Sequence, residues 1–181
     1  MTRHLLVIGG QRCGTTYLAQ VLDTHRQIAM NRPIRPEPKV FLDDAVLDTG
    51  LKGYRRTLFA HASGEDVLGE KSTSYIEHPS AISRVQSLLG TPTVVAQLRD
   101  PVARAISNYR FTCSFGLEDR TLEEAIAENL EGPRAWDPDL TSVSPYAYLE
   151  RGRYADHLAP WLAAFPGRVH VCFFEEITAP G

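Results

Sequence analysis

Apolar positions along the chain fall into short continuous blocks and longer periodic stretches. His4-Leu-Leu-Val-Ile8, Asp66-Val-Leu-Gly-Glu70, Thr93-Val-Val-Ala-Gln-Leu98 and Val169-His-Val-Cys-Phe-Phe174 are the blocks. Their length and their flanking turn residues predict buried strands. The periodic stretches predict helices. Leu18, Val21 and Leu22 mark one over Thr16–Thr24, and another is expected over Leu51–His61. Ile82, Val85 and Leu89 form a stripe over Pro79–Leu89, with proline in the first turn and Gly90 past the end. Asp100-Pro101 reads as an N-cap followed by a first-position proline, and Val102, Ile106 and Tyr109 are expected to face the sheet. Thr121–Leu130 predicts an acidic helix, and Tyr154–Phe165 one that Pro160 should kink. Asn31–Lys39, with Pro33, Pro36 and Pro38, fits neither a helix nor a central strand. Strands alternating with helices predict an α/β fold, a central parallel sheet with helices on both faces.

At 181 residues the chain suits one domain, residues 1–181, large enough to bury a core. Hydrophobic residues at 43% and charged residues at 23% exclude disorder and a collagen-like or disulfide-built chain. No apolar run near the start suits a signal peptide or membrane span, so no membrane partner is expected. Three cysteines, Cys13, Cys113 and Cys172, without metal-like spacing, predict a reducing, cytoplasmic setting. A net charge of −3 argues against nucleic acid as a partner. That charge is unevenly spread. Residues 1–36 carry five arginines against Asp23 alone, and residues 118–139 carry eight acids against two arginines. The basic end calls for an anionic ligand.

Two segments could hold one. Gly9-Gly-Gln-Arg-Cys-Gly-Thr-Thr16 joins the first strand to the first helix. Glycines there allow a sharp turn in which successive N–H groups point into one concavity, and the helix N-terminus adds positive potential. Gln11, Arg12, Cys13, Gly14, Thr15 and Thr16 are therefore the first binding candidates, in a three-layer, P-loop-like arrangement. Thr15 stands where a nucleotide triphosphatase loop has lysine, and Arg12 supplies a cation instead. An ordinary glycine-containing strand–helix turn is the bland alternative. In the second segment, Arg99 ends a strand at the edge where α/β sheets bind ligands, and Ser107 follows two turns into the next helix. Together they could grip a second phosphate.

This pair of segments resembles the nucleotide-binding elements of sulfotransferases that use 3′-phosphoadenosine 5′-phosphosulfate. The resemblance is greatest to the carbohydrate branch, which includes heparan sulfate sulfotransferases and bacterial relatives. Glu37-Pro-Lys-Val-Phe41 resembles that branch's Lys-Glu-x-x-Phe-Phe segment, with Pro36 in place of the lysine and Val40 in place of the first phenylalanine. Gly69-Glu-Lys-Ser-Thr-Ser-Tyr75 resembles its Glu-Lys-[Ser/Thr]-x-x-Tyr segment, and Gly152–Leu158 its acceptor-side helix.

The resemblance implies a donor loop for the 5′-phosphosulfate, and Arg99 with Ser107 for the 3′-phosphate. It also implies three catalytic residues: Glu37 as general base, Arg12 as a charge-neutralising cation, and Lys71 to neutralise the same charge or orient the acceptor. The acceptor would be a hydroxyl or amine of a carbohydrate or small molecule, and the product adenosine 3′,5′-bisphosphate. No metal is required in this scheme. An ATP-dependent small-molecule kinase and a non-catalytic nucleotide-binding protein are the alternatives. Beyond Val169–Phe174 no basic glycine loop follows, so the domain is expected to lack its C-terminal nucleotide-covering segment.

Overall fold

The computed structural model describes residues 2–141 and 143–178. Five strands form one sheet: β1 (Arg3–Gly9), β2 (Ile28–Met30), β3 (Val67–Lys71), β4 (Thr93–Leu98) and β5 (Val169–Phe173). Its order is β2-β3-β1-β4-β5, and every pairing is parallel. Among the described residues seven α-helices accompany it: α1 (Thr15–Asp23), α2 (Ala45–Leu58), α3 (Ser80–Leu89), α4 (Pro101–Ser114), α5 (Leu122–Glu131), α6 (Tyr154–Ala164) and the short α7 (Phe174–Thr178). The α/β reading holds.

From β1 the chain moves to one side of the sheet, and from β4 to the other. The carboxyl ends of these two neighbours therefore flank the switch point, where the outgoing loops diverge and leave a crevice. Leu6, Ile8, Val94 and Ala96 of these central strands are at most 0% exposed, and Trp161 and Phe165 of the α6 region pack into the same core. Among the described residues no helix is long and apolar enough to cross a membrane.

Four expectations need correction. β2 was not anticipated, because a three-residue strand is too short to show a period; it pairs with β3 through Ile28–Val67 and Met30–Gly69. α2 begins at Ala45 rather than Leu51 and ends at Leu58 rather than His61. Gly50, at φ 61°, divides it, and the expected segment is its second half. α6 ends at Ala164 rather than Phe165, with Pro160 inside it.

The fourth correction concerns α4. Val102 is 65% exposed, and the buried face is Arg104, Ala105, Asn108 and Thr112. Three polar residues at i, i+4 spacing thus occupy the face toward the protein. They are buried because they satisfy one another. Arg104 Nη1 donates to Asn108 Oδ1 (3.2 Å), and Asn108 Nδ2 donates to Thr112 Oγ1 (3.3 Å) and to the Pro145 carbonyl (2.9 Å). A hydrophobicity pattern cannot reveal such a face.

Candidate active site

Local sequence explains how the first loop is shaped. Gly10 N–H donates to the Gln97 carbonyl at 2.6 Å, and the Gln97 side-chain amide donates to the Cys13 carbonyl. The penultimate residue of β4 therefore pins both arms of the loop. Arg12 takes φ 64° and Gly14 φ 79°. Left-handed backbone costs a residue other than glycine about 1–2 kcal/mol, and Cys13 N–H closes the turn on the Gly10 carbonyl at 3.3 Å. At Gly14 glycine is required: a Cβ would collide with the Phe174 ring and lie 2.9 Å from Gln97 Nε2. No side chain caps α1, so its first N–H groups remain available to an anion.

Most of the expected residues converge. Arg12 Nε donates to Ser107 Oγ at 3.3 Å, and its guanidinium lies 4.3 Å over the Phe111 ring. Arg99 reaches the Arg12 carbonyl at 3.5 Å and stacks on Phe174 at 4.9 Å. Arg12, Arg99 and Ser107 line a cleft of about 560 Å³ with Ile106, Arg110 and Phe111. Arg99 and Ser107 share this cleft. Thr15 is buried at the start of α1, Gln11 is half-buried, and Thr16 faces a second cluster described below.

Cys13 is fully buried, and burial pushes its thiol up to about 11. Its expected place in the loop is thus structural, and thiolate chemistry is disfavoured. Tyr154, from the segment expected beside the acceptor, lies 3.9 Å from Cys13 Sγ and donates to the Arg99 carbonyl at 2.8 Å.

The second cluster joins the ends of β3 and α1 to the proline-containing segment. Lys71, only 2% exposed, donates to Glu37 Oε1 at 2.6 Å and to Thr16 Oγ1 at 3.4 Å. Thr73 holds the other side of the carboxylate: its N–H donates to Glu37 Oε2 at 2.9 Å and its hydroxyl lies 3.0 Å from both oxygens. Asn31 shapes the approach, donating to the Pro33 carbonyl at 2.6 Å and accepting from Lys71 N–H at 2.9 Å. Glu37, Lys71 and Thr16 are therefore one constellation, although 34 residues separate the first two.

Sequence reasoning missed Arg35 and Thr73 as members. Arg35 Nη2 donates to Thr16 Oγ1 at 3.1 Å. The signal was present in their positions, two residues before Glu37 and two after Lys71, but neither is assigned by spacing alone.

Charge in the site is unbalanced. Burial, followed by the nearby Arg35 and Arg99 guanidiniums, holds Arg12 below its ordinary value. Among the described residues, none of Arg12, Arg35 and Arg99 forms an ion pair with an acid. Arg99 Nε is buried without a hydrogen-bond partner. Clustered cations, an orphaned guanidinium donor and an uncapped helix start fit a ligand carrying several negative charges. A doubly phosphorylated nucleotide satisfies that requirement.

Comparison with known proteins agrees with this geometry. Residues 2–179 match the model of the sulfotransferase domain. The chain is 31% identical over 163 residues to the human protein "Heparan sulfate glucosamine 3-O-sulfotransferase 3B1", covering 90% of this chain and 38% of that protein. It is 30% identical over 167 residues to the Caenorhabditis elegans protein "Bifunctional heparan sulfate N-deacetylase/N-sulfotransferase 1", covering 89% of this chain and 18% of that one. A sulfotransferase structure from Alicyclobacillus acidocaldarius superposes with a TM-score of 0.76 at 24% identity, over 98% of this chain and 75% of the other, which shows the shared fold. The chain spans about two-fifths of the length of the first of these curated relatives. With its parallel sheet, its Gly9–Thr16 loop and the cleft that Arg99 and Ser107 share, the chain belongs to the sulfotransferase family.

Proposed function

We propose that the protein transfers a sulfuryl group from 3′-phosphoadenosine 5′-phosphosulfate to a hydroxyl or amine of a carbohydrate acceptor. The observation that carries this reading is the junction at Thr16. There the donor loop meets Lys71, which is bonded to Glu37. A phosphate-binding element and a candidate base are thus joined through one lysine. Sugar acceptors are supported by the two relatives named for heparan sulfate.

The donor supplies a sulfuryl group whose bond to the 5′-phosphate oxygen breaks as a bond to the acceptor forms. The loop amides, Arg12 and Thr16 hold the phosphate that departs and stabilise the charge growing on it. Arg99 and Ser107 hold the 3′-phosphate, which fixes the nucleotide in register with the loop. Glu37 takes the proton from the acceptor hydroxyl or amine. Lys71 and Thr73 orient that carboxylate, and its two oxygens have lone pairs enough to leave one for the incoming proton. Adenosine 3′,5′-bisphosphate and a sulfonated acceptor then leave the site.

The ATP-dependent kinase alternative is not favoured, since Thr15 replaces the loop lysine and Arg99 with Ser107 would have no task. The free thiols of Cys13, Cys113 and Cys172 support a reducing cytoplasmic location. The deciding experiment incubates the protein with the phosphosulfate donor and a library of sugars and small alcohols, with mass detection. Acceptors gaining one sulfuryl group are the expected result. Magnesium-dependent phosphoryl transfer from ATP, with no sulfonated product, would overturn the proposal.

A further inference from the structure

Glu70 precedes Lys71 in sequence but has no part in the chemistry above. Its side chain is 0% exposed and takes three hydroxyl donors: Tyr54 at 2.9 Å, Ser72 at 3.0 Å, and Tyr75 in a short bond. Burial raises this carboxyl to about 7, although the hydroxyl donors oppose the shift. A carboxyl this deep is costly unless its lone pairs are satisfied.

Two of the three hydroxyls have a second bond. Ser72 Oγ accepts from the Lys39 N–H at 3.0 Å, and Tyr75 Oη accepts from the Phe41 N–H at 3.1 Å. Lys39 and Phe41 lie just after Glu37. Backbone N–H groups can only donate, so each hydroxyl turns its own O–H toward Glu70 Oε1. Each hydroxyl oxygen is then left facing a backbone amide, and the linked bonds polarise one another. The segment needs such restraint because Lys39 takes left-handed backbone, φ 52°. Phe41 is also fully buried, with its ring 5.6 Å from those of Tyr54 and Tyr75.

We propose that Glu70 is a positioning residue which, through Ser72 and Tyr75, ties the segment carrying Glu37 to the end of β3. The same strand end supplies Lys71 and leads into Thr73, so the tether registers Glu37 against both of its partners. This inference rests on the reading of Glu37 as the base.

Tyr75→Phe carries the test, because it removes one hydroxyl and keeps the ring; Ser72→Ala and Glu70→Gln are companions. Each is assayed for kcat with the phosphosulfate donor and for calorimetric affinity toward adenosine 3′,5′-bisphosphate. For Tyr75→Phe, kcat is expected to fall about 10–100-fold, the usual effect of losing a group that orients a functional side chain. Bisphosphate affinity should stay within about twofold, since among the described residues no hydrogen bond joins Glu70, Ser72 or Tyr75 to Gln11–Thr16. In a Glu37→Gln background, Tyr75→Phe should cause no further loss, because there is no base left to position. Unchanged kcat in Tyr75→Phe alone, or an equal loss in the Glu37→Gln background, overturns the tether and leaves the base standing. Normal turnover by Glu37→Gln alone overturns the base, and the tether falls with it.

Discussion

Arg35 and Glu37 lie two positions apart on the proline-containing segment, and the structure sets them at the two ends of a hydrogen-bonded chain through Thr16 and Lys71. Their expected effects differ accordingly. Glu37→Gln keeps the shape but removes the proton acceptor, so turnover should fall by roughly 10²–10⁴. Calorimetry should find its affinity for the bisphosphate unchanged. Arg12→Ala should weaken both, because Arg12 sits inside the donor loop and bonds Ser107. Arg35 and Lys71 bond the same Thr16 hydroxyl, which sets Arg35 beside the expected position of the transferred group, so in Arg35→Ala KM for the phosphosulfate donor should rise about tenfold, the low end for losing a hydrogen bond to a charged group. Affinity for the bisphosphate, which lacks the sulfuryl group, should remain. Equal losses for both ligands would move Arg35 from the transferred group to the nucleotide.

At the scale of elements, α4 departs most from a pattern-based reading. Asn108 is the centre of its buried polar stripe, accepting from Arg104 at 3.2 Å and from Arg151 at 3.0 Å. Arg151 in turn donates to Glu77 at 2.8 Å, which links α4 to the turn following β3. Asn108→Ala would leave two buried guanidinium donors short of an acceptor, at a cost of about 1–3 kcal/mol per unsatisfied group. Urea denaturation should show that loss as a lower midpoint with an unchanged slope. A midpoint equal to wild type would mean that water replaces the amide. The strands, by contrast, were legible: β1 and β4 appear as apolar blocks because both faces of a parallel sheet are covered. β2 and the polar face of α4 were not, since one is too short for a period and the other is buried by hydrogen bonding.

For the whole molecule, two buried carboxyls set opposite pH trends. Arg120, with help from the Tyr148 hydroxyl, holds Glu118 down to about 2 from an ordinary 4.5. Its stabilising contribution is therefore complete above about 4.5 and disappears as pH falls through about 2. Burial shifts Glu70 the other way, from 4.5 to about 7. Its contribution is complete below about 4.5 and disappears as pH rises through about 7. Melting temperature should accordingly drop on the acid side through Glu118 and decline from pH 4.5 toward 7 through Glu70. Glu118→Gln should flatten the acid limb alone, in thermal melts taken across that range. An unchanged acid limb in that variant would show that other carboxyls control acid unfolding.

By itself the sequence determined the α/β class and marked the Gly9–Thr16 loop and the Arg99–Ser107 pair as anion-binding candidates, because each depends on residues close together in the chain. A strand, a glycine turn and a helix start are local, and eight positions along one strand–helix junction are nearly so. The resemblance to sulfotransferases also named Glu37 and Lys71. Only the tertiary structure decided that these two bond each other, that Thr73 and Arg35 join them, and that Glu70 lies beneath Ser72 and Tyr75. Those contacts cross between β3, α1 and the proline segment. They exist because parallel pairing of β1 with β3 brings the ends of distant stretches to one edge of the sheet, and no local period encodes which ends will meet.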